Sequence, residues 1–193
     1  MTVFDAVALG FALLPIAYLL AVAWPLARTD LREHRLPNAL TLPGLWLALA
    51  SQTLASATLG FGEIARGSSP WPGFANQAGA LAAAAMVFGS GLAAHVWLRL
   101  GMGDVKLLTV MSLSLGWFSP WSPLLALFVG FAVAVVVVVA GLLAGRTKLN
   151  AAVALGPYLL VGFAVAALVL VADASKVYSP GEVIDSTSRA LSS

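Results

Sequence analysis

Long apolar runs dominate this chain and leave little room for any architecture other than a membrane bundle. A transmembrane helix needs about 20 mostly apolar residues to cross a hydrocarbon core of roughly 30 Å. Six stretches come near that length, at about residues 6–26, 39–58, 77–98, 105–118, 124–144 and 151–172. Of 193 residues, 61% are hydrophobic and 9% are charged. A soluble domain carries about 25% charged residues, and so few charges could not cover a water-facing surface. In lipid a helix satisfies its own backbone. The expected fold is therefore all-α, a polytopic integral membrane bundle of about six transmembrane helices over residues 1–172. A polar tail at 173–193 is expected to be flexible.

The connection at 60–75 is rich in Gly, Ser, Pro and Trp and reads as an irregular loop. Pro43 falls in the first turns of the second span, where proline does least harm. The N-terminus lacks the basic region of a signal peptide, with Asp5 as its first charge, so the first span is expected to be retained. A net charge of +2 gives no argument for nucleic acid. With no cysteine, disulfides and thiolate zinc sites are excluded.

Lys and Arg set the expected orientation. With six alternating spans, Arg28, Arg32, Arg35, Arg99, Lys106, Arg146 and Lys148 share one side. Arg66, Lys176 and Arg189 share the other. The richer side is expected to be cytoplasmic, with both termini outside. The fourth span, about 14 residues, covers only about 21 Å. A tilt, local thinning or a wet recess at its Asp104 end is expected to make up the difference.

Ionisable groups at membrane depth are functional suspects. Asp30 directly follows the first span and Asp104 opens the fourth, both at the cytoplasmic end. Two close carboxylates share a proton, so one can activate water while the other polarises a carbonyl. Such a pair titrates as a unit. Gly101 and Gly103 precede Asp104, and glycine permits φ > 0 and close backbone approach. A helix break with an Asp N-cap would carry the same residues.

The segment Gly101-Met102-Gly103-Asp104-Val105-Lys106-Leu107-Leu108 resembles the signature of the type IV prepilin peptidases, a family of GxGD membrane aspartic proteases. The segment from Asp30 through Leu36-Pro37-Asn38 is similar to that family's first aspartate motif. Leu155-Gly156-Pro157-Tyr158 resembles its Phe-Gly-Pro element, with Leu155 in place of Phe. The resemblance implies a peptidase that removes the basic leader of prepilins or pseudopilins at the cytoplasmic face of a bacterial inner membrane. It implies Asp30 and Asp104 as the catalytic pair, with no metal and no cofactor. Gly101, Gly103, Lys106, Glu33, Pro37, Asn38, Gly156 and Pro157 are expected to shape the site or bind substrate. Larger relatives also methylate the new N-terminus through a domain with paired cysteines. The missing cysteines imply peptidase activity alone, and the short form looks like the Tad/Flp pilus branch.

Other readings of the same residues remain open. Asp30, His34, His95 and Asp104 would suit a divalent metal in a metal-dependent membrane protease, although no HExxH-type spacing is present. His34 also reads as a solvated loop residue, and His95 as a helix-end residue facing water or headgroups. Lys106 suits either substrate binding or snorkelling, while Glu33 suits contact with a basic leader. Gly141 and Gly145 form a small-xxx-small pair that permits close helix packing. A small ion or proton transporter would also use buried acids, though these sit at one face. A scaffold in a secretion apparatus is a third class.

Overall fold

The computed structural model describes residues 2–33, 37–98, 100–145 and 154–177. Six helices make up these residues, with no strand among them: α1 Val3–Glu33, α2 Asn38–Ala65, α3 Trp71–Leu98, α4 Met102–Gly116, α5 Ser122–Leu143 and α6 Gly156–Val177. By length and hydropathy, Val3–Glu33, Gly73–Trp97 and Ser122–Leu143 are each able to cross a membrane, and Gly156–Ala172 is a shorter apolar helix. The other two differ for physical reasons. α2 carries buried Thr41, Ser51, Gln52 and Ser56, which lower its hydropathy. α4 is short.

α4 is the hub of the bundle. It packs against all five other helices, and every residue from Val110 to Gly116 is buried. The C-terminal half of α4 is thus interior on every side, with Ser112 and Ser114 buried among its apolar residues. One core cluster joins it to α1 and α6 through Leu19, Leu26, Leu107, Met111, Leu159 and Phe163. A second, alanine-rich cluster joins it to α1, α2 and α3 through Ala12, Ala55, Ala80 and Trp117, among others. The outward faces are apolar. On α5, Phe128, Val136 and Leu143 are exposed, as suits a surface facing lipid.

Several elements differ from the sequence-based expectation. α1 does not stop before Asp30 but runs through it to Glu33, 31 residues in all. Its buried residues, Ala8, Ala12, Pro15, Ile16, Leu19, Leu26 and Asp30, follow one helical stripe. The helix continues because Pro15 and Pro25 are tolerated in a packed apolar bundle. The expected loop at 60–75 shrinks, since α2 extends to Ala65 and α3 begins at Trp71. Gly60 lies within α2 and packs against Pro70 and Phe74 instead of supplying a turn. Gly67, at φ +75°, makes the turn. The expected start of the sixth span at 151 lies outside the described residues; α6 begins at Gly156.

Of the expected Gly141 and Gly145 pair, Gly145 has open space around it. Gly145 adopts φ +66° just beyond α5, the left-handed residue with which helices commonly end. The intimate crossing is between α5 and α6. A Cβ on Gly162 would collide with the Ala126 carbonyl and with Gly130, and one on Gly130 would stand 3.0 Å from the Tyr158 carbonyl. Gly162→Ala is therefore expected to separate α5 from α6 and to cost about 1–3 kcal/mol or more, as overpacking does. Thermal unfolding of the purified protein in detergent checks this, and an unchanged midpoint would contradict it.

Candidate functional site

Asp30, Asp104, Asn38, Lys106 and Gly156 gather at one end of the bundle. Asp30 is 5% exposed, aimed inward because it continues the stripe defined by Leu19 and Leu26. Its Oδ2 accepts a hydrogen bond of 2.9 Å from the backbone N–H of Gly156, 126 positions along the chain. Gly156 is the first residue of α6, so the carboxylate sits where free helix N–H groups and the helix dipole favour negative charge. The absence of a side chain at Gly156 is what permits this. A Cβ there would stand 2.7 Å from Oδ2. Pro157 follows in the first turn, where its missing N–H costs no helical bond. Leu155 packs on the core cluster of α1 and α4, anchoring the start of α6 against the helix that carries Asp30.

Asp104 lies in the first turn of α4 and is half-buried. The two carboxylates are close enough to interact electrostatically. Gly101 is the extended N-cap residue of α4, with φ −60° and ψ 132°. Neither Gly101 nor Gly103 has a positive φ, so left-handed freedom is not what these glycines supply. A Cβ at Gly101 would stand 3.0 Å from Asp104 Oδ2, so that glycine keeps the carboxylate uncrowded. Gly103 is half-buried one residue before the acid. From α3, Gly91 receives Val105, whose Cγ1 would be 3.0 Å from a Cβ placed there.

Two contacts extend the site beyond what the motifs announce. Lys106 Nζ donates to Asn38 Oδ1 at 2.9 Å, tying the start of α4 to the start of α2. Pro37 precedes α2 in extended conformation at φ −68° and ψ 127°, and its carbonyl accepts from the Leu40 and Thr41 N–H groups. His95 is half-buried, and its Nδ1 lies 2.6 Å from the Leu100 carbonyl. A carbonyl only accepts, so Nδ1 carries the proton. His95 thus braces the turn leading into Gly101 while staying partly exposed at the end of α3. Glu33 ends α1 with an exposed side chain and has no hydrogen bond among the described residues. His34, the other member of the alternative metal set, lies outside the described residues. Among the described residues no group of three His, Cys, Asp or Glu is placed to hold a metal.

Beside Lys106 lies an apolar groove of about 260 Å³ between α2, α3 and α4, lined by Thr41, Leu42, Leu45, Phe88 and Thr109 among others. It adjoins the end of the bundle where the acids meet.

Comparison with known proteins bears on this arrangement. A search of curated proteins and a search of solved structures each found no match. A family model described as the type IV leader peptidase family matches residues 17–172. That span runs from the middle of α1, through both acids, into α6, and covers most of the chain, which therefore belongs to the type IV leader peptidase family of membrane peptidases.

Proposed function

We propose that this peptidase is an aspartic endopeptidase with Asp30 and Asp104 as its catalytic pair. What supports the reading is that Asp30 and Asp104, from separate helices, lie within electrostatic reach of one another at one end of a membrane-type bundle, with Asp30 bedded on the N-terminus of α6. One carboxylate takes a proton from water while the other, protonated, polarises the scissile carbonyl. Gly101, Gly103, Gly156 and Pro157 leave room around the acids. Lys106 and Asn38 brace the α2–α4 side, where the groove offers an apolar wall to substrate. Pro37 starts α2 beside that brace, and exposed Glu33 is free to meet a basic leader. Below the acids the core is packed with Leu107, Met111 and Leu115, which favours hydrolysis at one face over passage of an ion.

The substrate is the basic leader of a type IV prepilin or pseudopilin, cut at the cytoplasmic face of the bacterial inner membrane, within the Tad/Flp branch. With no cysteine in the chain, the new amino terminus stays unmethylated. Purified protein in liposomes should cleave a leader-bearing pilin peptide, retain that activity in EDTA, and leave a free α-amino group by mass spectrometry. Loss of cleavage restored by a divalent metal would move the assignment to a metalloprotease, and a methyl group on the product would refute the monofunctional reading.

The orientation follows from the charge count if all six helices cross the membrane. Arg66, on the poorer side, is already committed to Asp5 at 3.0 Å and to Glu63, so its charge is offset locally. Single cysteines are diagnostic in a cysteine-free chain. Arg32→Cys and Met102→Cys should resist an impermeant thiol reagent in intact cells and react after permeabilisation. Ser68→Cys should react in intact cells, and Val137→Cys in neither condition. Labelling of Arg32→Cys and Ser68→Cys from the same side would overturn the six-crossing frame.

A further inference from the structure

A 15-residue helix covers about 22 Å, less than a bilayer core, so α4 cannot present both ends to water. Its outer end is instead enclosed by protein. Leu113, Ser114, Leu115 and Gly116 are buried, and Gly116 lies so close to α3 that a Cβ would stand 3.1 Å from Ala80 Cα. The last four carbonyls of an α-helix have no partner within the helix; here the Leu115 carbonyl accepts from the Phe118 and Ser119 N–H groups of the following turn, while Leu113 and Ser114 lie buried before it.

α2 meets that need. Gln52 is fully buried, and its Nε2 donates to the Leu113 carbonyl at 2.8 Å and the Ser114 carbonyl at 3.4 Å. One turn further along α2, Ser56 Oγ accepts from Trp117 Nε1 at 3.0 Å. With Asn38 and Lys106 at the opposite end, α2 grips α4 at both ends by polar contacts. The side of Gln52 that faces away from this grip is not satisfied, since Oε1 has no partner among the described residues. Only the donor end of the amide is used, and it is used on α4.

The rest of α4 is mainly leucine, valine and methionine, and Thr109 and Ser114 turn their hydroxyls back onto carbonyls of α4 itself; close packing on α3 at Gly91 and Gly116 is then supplemented along the axis by the polar contacts with α2. A polar contact in an apolar interior selects one register from several. The hydrogen bond that holds Asp30 comes from Gly156 of α6 and involves no residue of α4. The separation of the two acids therefore depends on how far α4 sits along α2. Asp104 is nine residues from Leu113, about 14 Å along the helix.

We infer that Gln52 and Ser56 are positioning residues: by gripping the far end of α4 they set the axial register that places Asp104 against Asp30. The inference rests on the two-aspartate reading above for its catalytic arm. Its structural arm is independent of that reading.

The test uses the full chain in liposomes, carrying Gln52→Met, which has similar length and no donor, and Ser56→Ala as a milder variant. The readouts are kcat and KM on a leader-bearing pilin peptide, thermal unfolding, and the labelling rate of Met102→Cys by a water-soluble maleimide. Folded Gln52→Met is expected to lose about tenfold or more in kcat with KM nearly unchanged, as displacement of a reacting group does. Labelling at Met102→Cys should change by about threefold or more, as the other end of α4 shifts. Ser56→Ala should show the same pattern more weakly, and Ser56→Thr, which keeps the hydroxyl acceptor, should restore it. A folded variant with the parent kcat, or one with lowered kcat and unchanged labelling, would overturn the inference. If Gln52→Met does not fold, Ser56→Ala is measured in its place, and the same outcomes support or overturn the inference. If the parent protein cleaves no pilin peptide, the proposed function fails, while labelling still decides the register: an unchanged rate overturns it and a changed rate supports it.

Discussion

Replacing either acid by its amide, Asp30→Asn or Asp104→Asn, is expected to bring leader removal below detection while the protein still inserts. An amide cannot accept the proton of the attacking water, and a lone remaining acid cannot share one. General acid–base chemistry alone contributes about 10²–10⁴-fold, and loss of either member removes both halves of the device. Neither change need disturb the fold. Asn is isosteric with Asp, and at position 30 the amide oxygen can still accept the Gly156 N–H that the Asp30 carboxylate accepts at 2.9 Å. The two variants therefore separate chemistry from assembly. Co-expression with the cognate prepilin, read by mobility shift alongside membrane-fraction blots, measures both. Normal processing by either variant would remove that residue from the catalytic pair.

The second large effect is expected at a residue with no side chain. Gly156→Ala should lower cleavage by about 10²-fold, the scale associated with an ångström of misplacement. The new methyl would stand 2.7 Å from Asp30 Oδ2 and 3.2 Å from its Cγ, well inside van der Waals contact. Either the Asp30 carboxylate turns away from α6 and loses its hydrogen bond, or α6 backs off from α1. The backbone N–H remains in the alanine variant, so the loss would come from crowding and not from a missing donor. Gly101→Ala is a graded comparison, because its Cβ would meet Asp104 Oδ2 at 3.0 Å, a milder approach. Full activity in Gly156→Ala would mean that Asp30 works in a position other than the one packed against α6.

The all-helical class and the two acids are legible in the chain itself. Continuous apolar runs leave the backbone no partner but its own helix, and an acid beside such a run is costly enough to stand out. The motif glycines are legible too, though of the two properties expected of them, positive φ and close approach, Gly101 uses only the second. Conformational freedom is the natural reading of Gly101 and Gly103, whereas neither uses a positive φ. Clearance beside a carboxylate is visible only when the carboxylate's position is known. The inward aim of Asp30 follows from the phase of Leu19 and Leu26 once α1 is continued past Pro25. Prolines within a packed membrane-type helix are weak stops, which is why α1 runs beyond the end that its apolar run marks.

What the chain by itself determined is local: helical segments, their apolar faces, and acids at segment ends. Tertiary structure alone decided which ends meet. The Gly156 N–H lies 126 positions from the Asp30 carboxylate it supports, Lys106 is 68 from Asn38, and Gln52 is 61 from Leu113. No periodicity encodes such pairings, because each arises where helices cross. The crossings are set by glycine clearances and by the need of a short, enclosed α4 for hydrogen-bond partners in place of water.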